Sequence, residues 1–499
     1  MIFYLISLLV ILFTTFLTWI PKLASTPVGI LDIIPNILKS AQQIVFGEGW
    51  QAIGIFTFAF FLYAVLQSQA IQSLFTAKSK WLQKKGLWTV ALITIFSSFL
   101  ASGLSWYDEF IHFYPLVVPL LLAMGFDIFG ALLCLYGGAS AGQMAKFSSE
   151  AMQFGFNQSA NKHPTLEGKG ISFSGNDGIG FRMIAWLALT AIVVMFNLWY
   201  CNKVFQKRKI KTKQLTTQSI TEKVTPKFTT ARKWILFLAG FFLAISIAGQ
   251  MAKGRAKKWE ENYKGKIPPE VTSSYEAGEN YSGKEHIELG AADKKGATIL
   301  AEVKEDQKEN LWGTFGKWEE LQIYSWFIIG GIIICLLSKQ NIVNTLIVSL
   351  KKSIPLVLSY ILMFTPMVII RDSGMSKNIS ELLPTRTTPS ARYWLLFGAL
   401  LIPLIISLVF PILRHALNYI AVPLFYAVSK NTLMYGIIIV LIGSTIGMTF
   451  SPVNGILQTS LQQNKITYKE FLKKTWVLGL LLLAVVLPLI WFCAWRLAI

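Results

Sequence analysis

Charge is scarce in this 499-residue chain: only 14% of its residues are Asp, Glu, Lys or Arg, against roughly 25% in a soluble domain. That shortage excludes an ordinary water-soluble enzyme. The four cysteines, Cys134, Cys201, Cys335 and Cys493, stand in or beside apolar runs with no CxxC spacing, which argues against a disulfide framework and a zinc site. His112, His163, His286 and His415 are too few for a multi-histidine metal centre. Walker A and HExxH motifs are absent, as is GxSxG in a strand-turn-helix context, so no enzymatic activity is expected and no ATPase of the chain's own. The alternation that marks a β-barrel strand is missing too, so the spanning elements must be helices.

What the chain does have is apolar length. Residues AVILMFWYC make up 54% of it, and several runs approach or exceed the roughly 20 residues needed to cross ~30 Å of hydrocarbon. Met1 to Ile20 reads as an uncleaved first span, and further spans are expected at about 51–75, 181–200, 234–251, 322–338, 355–370 and 475–493. Forty-six Lys plus Arg against 26 Asp plus Glu give a formal charge of +20. Read loop by loop, the excess is topological and needs no nucleic acid as partner: the basic segments at 78–85, 202–233, 339–352 and 465–474 mark the inner side. Arg182, just before a span, reads as an interfacial anchor. The hydrophilic stretch of about 251–320 reads as an external insertion between a first half, 1–250, and a second half, 321–499. The chain is therefore expected to be an all-α, polytopic protein of the cell membrane, with the lipid bilayer as its principal partner.

Two places depart from simple crossing. At 87–126, paired apolar runs flank Ser105 and the adjacent acids Asp108 and Glu109, and at 393–428 a second pair flanks Pro411, Arg414 and His415. Each reads as a re-entrant hairpin, since charges at mid-depth need protein or water around them. Each is followed by a run interrupted by small residues, at Gly137 to Gly142 and at Gly443 to Gly455, so broken helices are expected at about 127–145 and 431–464. The same order thus occurs twice, starting from opposite sides. Inverted repeats with about nine full spans and two hairpins are the pattern of a secondary transporter with its site near the midplane.

The candidate binding residues follow from that placement. Freed backbone at Gly138, Ser140, Ser451, Pro452, Asn454 and Gly455 could hold a ligand, with half-helix N-termini suiting a carboxylate and unwound carbonyls suiting a cation. Close helix packing is the competing account of the glycines. Asp108 and Glu109 could bind a cationic group, a coupling proton or a sodium ion. Alternatively Asp108 caps the returning half-helix, because Ser105 to Asp108 has capping-box spacing. His112 could pair with Asp108 one turn away or simply pack. Arg414 could attract a substrate carboxylate, or form an inner-surface pair with His415. No resident cofactor or metal is expected.

Phe113-Tyr114-Pro115-Leu116-Val117-Val118-Pro119-Leu120, preceded by the acidic pair and followed by Met124-Gly125-Phe126-Asp127, resembles the acidic-pair and FYPL stretch of the YfcC-like family. Further matches are Gly178-Ile179-Gly180-Phe181-Arg182, Asp372-Ser373-Gly374 and Ser451-Pro452-Val453-Asn454-Gly455. That family belongs to the ion transporter superfamily, is related to anaerobic dicarboxylate carriers, and includes members labelled basic amino acid antiporters. The resemblance implies elevator-like transport of amino acids or organic anions, with Asp108, Glu109, Ser451, Pro452 and Gly455 at the site. The chain departs from the pattern at Ser148-Ser149-Glu150, at Leu413-Arg414-His415 and in the 252–310 insertion. The leading expectation is an ion-coupled transporter or exchanger of amino acids, basic ones included. A carboxylate or dicarboxylate carrier is the alternative, and a non-transporting membrane scaffold the further one. A homodimer is compatible with each.

Overall fold

A computed structural model describes residues 2–46, 51–74, 77–78, 85–103, 106–107, 109–147, 156, 173, 175–212, 228–263, 320–375, 378, 389–426 and 430–498. Among them there is no β-strand. The helices are α1 (Ile2–Leu17), α2 (Ile33–Phe46), α3 (Gln51–Gln67), α4 (Gly86–Gly103), α5 (Tyr114–Ala123), α6 (Ile128–Met144), α7 (Ile179–Thr212), α8 (Thr230–Tyr263), α9 (Glu320–Leu337), α10 (Ile342–Asp372), α11 (Pro389–Val409), α12 (Arg414–Tyr426), α13 (Lys430–Phe450), α14 (Gly455–Gln463) and α15 (Tyr468–Ala498). Short 3₁₀ turns, Glu109–Phe113 and Pro411–Leu413, precede α5 and α12. The chain is an all-helical, multi-pass membrane protein.

Two compact units are present, one of residues 1–239 and 328–499, the other of residues 240–327. In the second unit the Phe242 and Trp326 rings lie 6.2 Å apart and Ser246 Oγ bonds back to the Phe242 carbonyl. Residues 264–319, most of the expected insertion, lie outside the described residues. So do Ser105, Asp108, Ser148 to Glu150 and 213–227.

Within the first unit, the apolar pattern sorts the helices by what surrounds them. Residues 131–145 of α6 and its end, and residues 437–451 of α13 and its end, are buried on every side, as expected for helices that are apolar all round. By contrast α7 and α15 carry one broad exposed apolar face, with Leu187, Met195, Trp199, Trp476, Leu480 and Trp491 on it. Those faces suit lipid. The core helices α6 and α13 pack against each other, α6 against α4 and α13 against α11.

The glycines make that packing possible. A Cβ on Gly138 would lie 2.6 Å from the Thr94 carbonyl oxygen, and one on Gly142 would lie 2.1 Å from that of Ser98. In the second repeat, Gly443 would meet the Leu400 oxygen at 2.3 Å and Gly447 the Leu404 oxygen at 2.2 Å. Paired glycines one turn apart thus seat each core helix on two carbonyls, also one turn apart, of the preceding long helix. This overturns the expected breaks at Gly137 to Gly142 and Gly443 to Gly447. The first helix runs on as Ile128–Leu132, a π turn Leu133–Gly137 and Gly138–Met144, and the second is continuous over Lys430–Phe450. Backbone-to-backbone contact offsets the helix propensity that glycine forfeits.

The order long helix, 3₁₀ turn, short helix, core helix therefore recurs at 86–144 and 389–450. In each pair the long arm, 18 residues in α4 and 21 in α11, faces a short one of 10 residues in α5 and 13 in α12. At about 1.5 Å per residue the short arms are well under a bilayer's width.

Three boundaries also move. α7 and α8 each run 34 residues, well past the expected spans into the flanking charged segments, because Lys, Arg and Glu are good helix formers once clear of lipid. Lys351 and Lys352, expected in a loop, lie inside the 31-residue α10. The amphipathic α2 was not foreseen; it buries Asn36, Ser40 and Ile44 and packs on α10, and Lys39 pairs with Asp372 at 2.9 Å.

Candidate functional site

Each core helix ends in an irregular stretch, at Ala145 in the first repeat and at Ser451 in the second. The second falls at Ser451 to Asn454, between α13 and α14, where the Pro-Val-Asn-Gly sequence places it. Proline lacks the donor a helix would use, and Asn454 caps α14 by accepting from Ile456 N at 3.0 Å. Ser451 is buried, and its Oγ accepts from Val453 N at 3.2 Å.

The carbonyls freed by this break are not idle. Asn454 Nδ2 donates to the Met448 oxygen at 2.9 Å and to Tyr136 Oη at 3.0 Å. Tyr136 Oη donates in turn to the Thr449 oxygen at 3.0 Å. Tyr468 Oη donates to the Phe450 oxygen at 2.7 Å, and Gln458 Nε2 to the Pro452 oxygen at 2.6 Å. Tyr136 comes from the π turn of α6, so the first repeat reaches across to close the break in the second. Pro452 itself is exposed and Gly455 half-buried.

The first interruption begins at Ala145, whose φ of −134° and ψ of 81° leave the helix. Ser102 Oγ donates to the Ala145 oxygen at 2.6 Å and accepts from Phe147 N at 2.9 Å. Arg182, 0% exposed, donates from Nη1 to the Lys146 oxygen at 2.8 Å and from Nη2 to the Gly175 oxygen. The expected interfacial anchor is thus an internal fastener, a buried cation that donates to two backbone carbonyls.

Arg414 is 5% exposed and opens α12 directly after the Pro411–Leu413 turn. Hydrogen-bond matching orients the Gln143 amide with its oxygen toward the guanidinium, where it accepts from Nη2 at 2.6 Å and from Nη1 at 3.0 Å. Met448 Sδ lies 3.9 Å from Nη1. His415 turns the other way and stacks on Phe364 of α10 at 4.3 Å between centroids. Burial and this divergence replace the surface-pair account of Arg414 and His415.

A cavity of about 20 Å³ adjoins the break, lined among others by Tyr360, Met363, Pro411, Met448, Asn454 and Gly455. That is room for a water molecule.

Of the sequence-derived candidates, Ser451, Pro452, Asn454 and Gly455 lie together at the second break. Arg414 joins them through Met448, which touches its guanidinium and yields its carbonyl to Asn454. Ser140 is buried one turn beyond Tyr136 on α6. Gly138 seats the backbone of α4 and presents no free amide. Glu109 is half-buried at the start of the 3₁₀ turn, while Asp108 and Ser105 lie outside the described residues. His112 is 1% exposed and edge-on to Tyr63 at 5.8 Å, and Asp108, its expected partner, lies outside the described residues. Tyr136, Gln143 and Ser102 were not anticipated. The signal was a lone hydroxyl or amide inside an apolar run.

A sequence model of the C4-dicarboxylate anaerobic carrier family matches residues 52–493. An uncharacterised protein of Haemophilus influenzae is 28% identical over 156 residues, which cover 30% of this chain and 28% of the relative. Among solved structures, the YdaH transporter of Alcanivorax borkumensis aligns over 99% of this chain and 97% of its own, with 11% identity and a TM-score of 0.43. MtrF of Neisseria gonorrhoeae, described with a class of antimetabolite efflux pumps, aligns over 99% and 94%, with 13% identity and a TM-score of 0.45.

Proposed function

Because the chain belongs to the C4-dicarboxylate anaerobic carrier family, and is thereby a membrane transporter, we propose that it is a secondary carrier of small carboxylates whose site is the second helix break with Arg414. The single observation that carries this reading is a nearly buried guanidinium at the start of α12, against the end of α6 and the end of α13. Arginine suits a carboxylate because its planar fork can donate two parallel hydrogen bonds. The capped start of α14 adds backbone donors beside it. Closing a substrate carboxylate onto Arg414 would couple the two repeats, since Gln143 and Arg414 come from different ones. Transport then draws on a coupling proton or sodium ion, or on exchange.

A second reading keeps the carboxylate and adds an amino group: Glu109, half-buried at the tip side of the first hairpin, offers an anion for it, as the YfcC-like FYPL stretch suggests. Both readings share Arg414. Uptake of radiolabelled succinate, malate, aspartate and arginine into proteoliposomes separates them. Arg414→Gln is expected to lower kcat/KM by roughly thirtyfold or more for whichever solute is carried, as loss of one partner of a buried, hydrogen-bonded charge pair costs about 2–5 kcal/mol. Undiminished uptake by Arg414→Gln would overturn the carboxylate reading. Glu109→Gln should spare succinate and impair arginine if the second reading holds.

A further inference from the structure

The Gln143 amide holds Arg414 in an unusual way. One oxygen atom bridges both terminal nitrogens, at 2.6 and 3.0 Å, from a side chain itself only 6% exposed. A carboxylate oxygen would take that same position. We propose that Gln143 is a built-in stand-in for the substrate's carboxylate, occupying Arg414 between transport events and yielding it when a solute binds. This rests on the reading of Arg414 as the carboxylate holder and adds to it a residue that sets affinity by competition.

The chemistry fits that exchange. An amide oxygen is neutral: it satisfies donors of the guanidinium but does not cancel its charge. A carboxylate does both: it adds the attraction of opposite charges to bonds that the guanidinium already strengthens from the donor side. Gln143 therefore binds Arg414 well enough to keep it oriented and weakly enough to be displaced. A glutamate at this place would instead close an internal ion pair that a solute could not open. Gln143 is the penultimate residue of α6, next to the irregular stretch at Ala145. Its withdrawal would be felt directly at the first interruption.

The test uses purified full-length protein in detergent, with dissociation constants from thermal shifts for succinate, malate, aspartate and arginine. Gln143→Ala is expected to tighten binding of the preferred carboxylate by roughly three- to tenfold, because the solute no longer displaces a hydrogen-bonded competitor. Gln143→Met, which keeps the volume but removes the acceptor, should behave alike and covers the event that the alanine variant does not fold. Gln143→Glu should weaken binding at least tenfold while the protein without added solute melts no lower than the parent. Unchanged or weaker binding in both Gln143→Ala and Gln143→Met overturns the inference, as it would mean that Gln143 contacts the solute or has no part in the site. Arg414→Gln separates this failure from that of the parent reading. If it abolishes carboxylate binding while the Gln143 variants match the parent, only the competition is wrong. If it binds as the parent does, or if no carboxylate shifts the parent at all, the reading of Arg414 falls and the inference with it.

Discussion

The two interruptions at the ends of α6 and α13 occupy corresponding places in the two repeats but are fastened by different chemistry. At the first, Arg182 and Ser102 hold the Ala145 and Lys146 carbonyls. At the second, Tyr136, Asn454 and Tyr468 hold those of Met448, Thr449 and Phe450 with neutral donors only. Hydrogen bonds from a charged donor contribute about 1.5–3 kcal/mol, against about 0.5–1.5 for neutral pairs. The first interruption is accordingly expected to be the more firmly held of the two. Similar topology does not make the two ends equivalent. The neutral one carries the residues proposed to bind the solute.

That contrast can be broken most forcefully at Arg182. Arg182→Gln should destabilise the protein by about 3 kcal/mol or more, since it leaves buried carbonyls without donors. In detergent melts it should be the most damaging single change, and no solute should restore it; a melting temperature near the parent's would erase the distinction. Next come the seats shared by both repeats. Gly142→Ala and Gly447→Ala place a methyl 2.1 and 2.2 Å from a backbone oxygen, and each is expected to cost about 1–3 kcal/mol. Here the repeats should respond alike, so a benign effect in one alone would show that its packing is not what the other's is.

Tyr136→Phe sharpens the contrast from the second side. It removes the hydroxyl that donates to Thr449 and accepts from Asn454, for about 1–2 kcal/mol, and should change uptake kinetics more than melting temperature. Equal loss of both would make Tyr136 a structural brace. Tyr468→Phe removes one bond to Phe450, is expected to cost about 1 kcal/mol, and should leave solute affinity within about twofold of the parent.

The sequence exposes these features unevenly, for physical reasons. Ser451 to Gly455 is legible because proline removes a donor and asparagine supplies a cap locally, within a few residues. Gly138, Gly142, Gly443 and Gly447 carry no such local mark. Their role depends on carbonyls about 44 residues upstream, and a glycine pair reads equally as a flexible break or as a close seat. Arg182 at the head of an apolar run has the signature of an interfacial residue, and only the fold brings the Lys146 and Gly175 carbonyls to it. Gln143 and Tyr136 are single polar positions in buried helix, whose meaning lies in Arg414 and Thr449 across the repeat boundary. The all-helical architecture was readable from run length, because bilayer thickness fixes it independently of partners. Helix ends were not, as at α7 and α8, where charge marks the limit of lipid and not of the helix.

The π turn at Leu133–Gly137 acts as a phase shifter. Upstream of it, Asp127 caps the helix at Gly130 N and accepts from Tyr200 Oη at 2.8 Å; downstream, Gly138 and Gly142 must point at α4. Winding these five residues as regular α-helix, with none removed, would rotate one half against the other by roughly a quarter turn. Either the Tyr200 tether or the glycine seat would then be lost, so the wide turn sets the register between the two ends of the core helix.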